Sequence, residues 1–259
     1  MKIFFAICLT SLLVACGQAP STTPTSESLS LTGFPEGTKW PCDEYSSSLN
    51  SNEMACMRLR YPLGSSHPDT DILIELRGYT EQQRNIMTVA IGLFETAWND
   101  MHANGSVNDS EFGKCVYRTP PTEQFGPNSL YPAQYQNLDS AISWSMLNLR
   151  YMFELHQQQR IPLLVEGKSL PPDRLAQADV GQDGVNDLTG TIEINRDFIE
   201  KHTPYLWAGG LMHEWLHRKG WRHKGVYETS LVSVVDECIH TQNKSGLGLT
   251  GLFESVRFD

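Results

Sequence analysis

His213-Glu214-Trp215-Leu216-His217-Arg218-Lys219-Gly220-Trp221-Arg222-His223 is the stretch around which the rest of the chain is read. Residues four apart on an α-helix lie one turn apart on the same face, so His213 and His217 can direct two imidazoles at one ion. Neutral imidazole suits Zn²⁺, and three protein ligands leave a fourth position open for water. Glu214 adjoins His213 and is expected to serve as a general base rather than as a ligand. Gly220 allows a left-handed residue that ends the helix and turns the chain. That turn can bring His223 back as the third ligand. The helix is predicted to start near Pro204 and to run to about Lys219.

Downstream, Tyr227 to His240 reads as a helix with Leu231, Val234, Val235 and Ile239 at core spacing. It carries Asp236 and Glu237, either of which can accept a hydrogen bond from a ligand imidazole or simply cap and solvate the helix. Glu237 also competes with His223 as third ligand, and the glycine turn favours His223. Tyr227 and Tyr205 are the nearest phenols. Each can donate to a developing oxyanion or pack as an ordinary tyrosine. Trp207, Trp215 and Trp221 read as packing and cleft wall. His67, His102, His156 and His202 are scattered and expected to be exposed.

Upstream, Asp71 to Arg77 alternates Ile72, Ile74 and Leu76 with polar residues, the pattern of a strand. Thr80 and Gln83 form a capping box for a helix that runs to the stop at Asn104-Gly105. A short strand is predicted over Lys114 to Arg118. A second helix carries Ile142, Met146, Leu149 and Phe153 and ends before Pro162. Strands are predicted at Leu163–Glu166, Leu175–Val180 and Thr189–Asn195. Strands interleaved with long helices give a mixed α+β layer packing. Asp179, Asp183, Asn186 and Asp187 around Gly181 and Gly184 read as a polar turn, because the spacing does not fit a calcium-binding EF-hand loop.

The eleven-residue stretch resembles the metzincin zinc-peptidase motif H-E-x-x-H-x-x-G-x-x-H. The resemblance implies that His213, His217 and His223 bind one catalytic Zn²⁺ with Glu214 as general base. It also implies a twisted mixed sheet with backing helices above the active-site helix, over about Asp71 to His223. Metzincins hold an extended substrate on an edge strand, and Thr189–Asn195 occupies the corresponding place in chain order. The likeness has one departure. Metzincins carry a methionine turn beneath the metal, whereas the last methionine here is Met212. Few residues follow His223, so the C-terminal subdomain is expected to be very small.

The N-terminus reads as an address. Met1-Lys2 precedes an apolar run from Ile3 to Val14, too short to span a bilayer as a mature helix but suited to a secretory signal. Leu13-Val14-Ala15-Cys16 resembles the lipobox of bacterial lipoproteins, which implies cleavage after residue 15 and lipid on Cys16. Gly17 after that cysteine, by the same resemblance, points to the outer membrane where the cell has one. Residues 16–37, rich in Ser, Thr and Pro, form a flexible tether, and residues 38–259 form the folded body. In an oxidising compartment Cys42, Cys56, Cys115 and Cys238 suggest two disulfides. Loop-closure entropy favours Cys42–Cys56 with Cys115–Cys238. The net charge of −10 argues against nucleic acid as a partner.

Three functions fit these residues. The first is a membrane-anchored zinc metallopeptidase acting on peptides or proteins. The second is a zinc-stabilised envelope lipoprotein that binds a partner without cleaving it. The third is a zinc amidase acting on peptidoglycan cross-links.

Overall fold

The computed structural model describes residues 53–61, 69–103, 105–122, 125, 135–179, 188–223, 227–243 and 257–258. The signal segment, Cys16, the tether, Cys42, His67 and most of the acidic turn at 180–187 lie outside them. Residues 37–259 form one compact unit.

The architecture is α+β. Strands β1 (Met54–Leu59) and β2 (Thr70–Arg77) lead into helix α1 (Glu81–His102). Helices α2 (Glu111–Arg118) and α3 (Leu138–Gln159) follow. Next come β3 (Leu163–Lys168), β4 (Arg174–Ala178) and β5 (Thr191–Asn195). Helices α4 (Pro204–Arg218) and α5 (Leu231–His240) and the short strand β6 (Arg257–Phe258) are the last of these elements among the described residues. The sheet order is β1-β2-β3-β5-β4-β6. Strands β2, β3 and β5 are parallel, β1 and β4 run antiparallel to their neighbours β2 and β5, and β6 is parallel to β4.

Local chemistry sets the element ends. Thr80 and Gln83 form the expected capping box at the start of α1, and Gly105 turns left-handed just beyond its end. Helix α4 begins with Pro204 at its first turn, where the missing N–H costs nothing. It is buried from Leu206 to Arg218, so it is a central element with neighbours all round rather than an amphipathic surface helix. Trp215, in the middle of the motif, packs 4.8 Å from Phe94 of α1 and 5.3 Å from Phe153 of α3, ring centre to ring centre. These contacts dock the motif helix into the core while its histidines face elsewhere.

Three expectations are corrected, and one strand is added. Lys114–Arg118 is helical, because Ser110 accepts from the Gly113 N–H at 3.1 Å to cap α2, and Phe112, Cys115 and Val116 bury at helical spacing. Strand β5 is interior, bonded to β3 on one side and β4 on the other, so it cannot be the edge strand that captures substrate. His102 and His156 are buried rather than exposed. His102 bonds to the Trp98 carbonyl at 2.8 Å through Nδ1 and stacks on that indole, and His156 bonds through Nδ1 to the Ile161 carbonyl at 2.9 Å. Strand β1 was not expected at all; its buried set, Ala55, Met57 and Leu59, has no β-branched residue to announce it.

The Cys115–Cys238 disulfide is present, joining α2 to α5 with Cα atoms 5.9 Å apart. Cys56 is also disulfide-bonded.

Candidate metal centre

Helix α4 stops where its sequence requires. Gly220 adopts φ +91°, its N–H bonds to the His217 carbonyl at 2.9 Å, and the Trp221 N–H bonds to the Leu216 carbonyl at 3.2 Å. These two bonds make a Schellman turn. The turn does more than end the helix. It aims the Trp221 carbonyl back at His217, which bonds to it through Nδ1 at 2.8 Å. A carbonyl oxygen can only accept, so His217 carries its proton on Nδ1 and keeps a lone pair on Nε2.

The same reasoning fixes His223, which follows the turn. Its Nδ1 lies 2.7 Å from the Ser230 hydroxyl. That hydroxyl has one proton and faces the Tyr227 carbonyl at 2.9 Å, so it accepts from His223. Ser230 is also the N-cap of α5, accepting from the Ser233 N–H at 3.3 Å. One serine therefore starts a helix and orients an imidazole. The third histidine, His213, presents Nδ1 to Asp236 Oδ2 at 3.5 Å. Neither atom has a hydrogen-bond partner among the described residues, so each faces the other as its natural complement.

With the Nδ1 atoms turned outward, the Nε2 atoms face inward. His213 Nε2 and His223 Nε2 stand 3.1 Å apart, and the ligand atoms of His213, His217 and His223 all lie within 4.8 Å of one another. At that distance the two nitrogens either share a proton in a hydrogen bond or share a cation. Tetrahedral zinc, with bonds of 2.0–2.1 Å, would set neighbouring nitrogens about 3.3 Å apart. The three side chains therefore fit a divalent cation. Glu237 does not join the cluster, so among the described residues the third donor is His223.

Burial at this place disfavours charge on any of the groups. Burial holds the His213 imidazole well below its ordinary pKa, and positive charge on His217 or His223 would lower it further. Burial pushes the Asp236 carboxyl well above the usual carboxylate range, and the charge of Glu237 adds to that. A cation among the imidazoles would reverse the balance for Asp236 and hold it ionised. Glu214 is fully buried on the turn of α4 next to His213.

Close backbone approach makes this possible. A side chain at Gly209 would overlap Asp236, its Cβ only 2.7 Å from the Asp236 carbonyl oxygen. Two successive glycines inside a helix cost about 1 kcal/mol each relative to alanine. They are kept here because Asp236 and Phe258 lie directly against the backbone of α4.

The remaining expected residues are placed as follows. Tyr227 is buried, donates its hydroxyl to the Phe258 carbonyl, and lies 4.1 Å from the His223 ring. Tyr205 lines a surface groove with Leu93, Thr96 and Ile239. Ser230, Gly209, Gly210 and Phe258 were not anticipated. The glycine pair was visible in the sequence as a helix-breaking signal inside a helical run, whereas Ser230 and Phe258 carried no such mark. No family model, curated protein or solved structure matches the chain.

Proposed function

We propose that the protein is a zinc-dependent peptidase tethered to the bacterial cell envelope. The observation that carries this reading is the convergence of a ring nitrogen from each of His213, His217 and His223, with Glu214 buried next to His213 on the same helix. An all-nitrogen set of three ligands suits Zn²⁺ and leaves a coordination position open. Zinc held by His213, His217 and His223 supplies a Lewis acid that polarises a carbonyl and makes water more acidic. Glu214 takes a proton from the attacking water as the oxygen bonds to the scissile carbon. It then delivers that proton to the nitrogen as the C–N bond breaks.

The likeness to metzincins is supported by the mixed sheet and by the placement of β4, an antiparallel strand near one sheet edge. Among the described residues, two of its positions, Arg174 and Ala176, pair with β6. An extended peptide can add to such a strand through main-chain hydrogen bonds. The envelope anchor rests on the signal and lipobox residues; among the described residues no helix is long and apolar enough to cross a membrane.

Glu214→Gln tests the proposal. Zinc content should be unchanged, while cleavage of a broad peptide library falls by about 10²- to 10⁴-fold. Full turnover in the variant, or no cleavage by zinc-loaded wild type, would contradict it. Inertness of both proteins, with thermal stability lost on chelation, would leave a zinc-stabilised binding lipoprotein instead.

A further inference from the structure

We propose that Phe258, delivered by β6 and fastened by Tyr227, is a positioning residue for the metal-binding imidazoles. This inference rests on the reading of His213, His217 and His223 as a metal centre.

Phe258 is fully buried, and its ring centre lies 5.4 Å from that of His213 and 6.3 Å from that of Trp207. A side chain at Gly210 would overlap the ring, with Cβ 2.9 Å from Phe258 Cζ. The ring thus rests on bare helix backbone, one turn before His213. Two further ties hold it there. Strand β6 pairs with β4, Ala176 opposite Phe258, and the Tyr227 hydroxyl donates to the Phe258 carbonyl. Tyr227 in turn packs its ring 4.1 Å from that of His223 and 6.0 Å from that of His213.

Two linked aromatic rings therefore bound the two imidazoles whose Nε2 atoms are 3.1 Å apart. Hydrogen bonds at Nδ1 hold His217 and His223. His213 has no such bond, its Nδ1 standing 3.5 Å from Asp236 Oδ2. It is also His213 that Phe258 walls in. Restricting its side-chain torsions before the ion arrives lowers the ordering cost of binding, so the effect belongs to affinity as well as to stability.

The test uses the full chain, stripped of metal. The dissociation constant for Zn²⁺ is measured by competition with a chromophoric chelator, alongside the melting temperature of the metal-free protein. Phe258→Ala should weaken zinc binding about tenfold or more. Phe258→Leu refills the space against Gly210 and should recover most of that loss. Tyr227→Phe leaves the core filled and should weaken binding about threefold, together with a modest fall in the metal-free melting temperature from the lost hydrogen bond to the Phe258 carbonyl. A purely structural role predicts lower melting temperatures with wild-type zinc affinity in the folded variants, and that result would overturn the proposal. If Phe258→Ala does not fold, Tyr227→Phe decides the matter. Wild type that binds no zinc would overturn the metal centre itself, an outcome distinct from unchanged affinity in the variants.

Discussion

Two polar clusters in this protein follow opposite rules. On the outward side of the sheet, Lys168 pairs with Glu193 and, at 3.1 Å, with Glu166; Gln177 donates to Glu193 at 2.6 Å and accepts from Arg174 at 2.5 Å. Each charge there meets its opposite beside solvent. Between α4 and α5 most of the polar groups are buried, and three imidazoles turn ring nitrogens toward one another. The first cluster is complete with protein atoms alone. The second becomes electrostatically sensible when a cation is added. Burial of polar groups thus separates a surface network from a binding site only when the direction of the lone pairs is also considered.

The comparison can be broken at four places, taken from the largest expected effect to the smallest. Gly209→Ala should force α4 and α5 apart at Asp236 and destabilise the fold by about 1–3 kcal/mol, read by denaturant unfolding. Wild-type stability there would mean that the helices are not in close contact. Asp236→Asn keeps the shape but removes the charge facing His213. Zinc affinity should fall by about 10- to 100-fold, and an unchanged affinity would remove Asp236 from the centre.

His102 is a useful contrast, being a buried histidine with Nδ1 on a carbonyl but outside the metal cluster. Burial lowers its pKa to about 4. The unfolded chain takes up that proton near pH 6.5 and the folded chain refuses it until about pH 4. Its contribution to stability is therefore present above about pH 6.5 and is lost as pH falls through that window, by up to about 1.4 kcal/mol per pH unit. Unfolding of metal-free wild type and His102→Gln across this range should differ in slope; parallel curves would contradict the assignment. Lys168→Ala should leave stability to denaturant close to that of wild type, because its ion pairs are exposed and screened. A clear loss would mean that the outward network matters more than its solvation allows.

What could be read from the sequence was what is local. Helical spacing put His213 and His217 together, and Gly220 marked the turn that returns His223. The capping box at Thr80 and the core stripe of α3 were equally plain. The groups that orient the imidazoles were harder, because Ser230 and Asp236 act across a tertiary gap and each has an ordinary local use near a helix start or along its side. Phe258 lies still further away in sequence. Lys114–Arg118 differs because Cys115, Val116 and Tyr117 favour strands, while the Ser110 cap and burial of Phe112, Cys115 and Val116 on one face set a helix. His102 and His156 looked like surface residues because nothing nearby in sequence shows that a carbonyl awaits each ring.

The central claim is that three histidine Nε2 atoms bind one divalent cation. X-ray absorption at the zinc edge of the purified, zinc-loaded chain tests it most directly. The account predicts one zinc per chain with three imidazoles at about 2.0–2.1 Å and one lighter oxygen donor. Sulfur in the coordination shell, fewer than three imidazoles, or an unchanged spectrum in His223→Ala would contradict it.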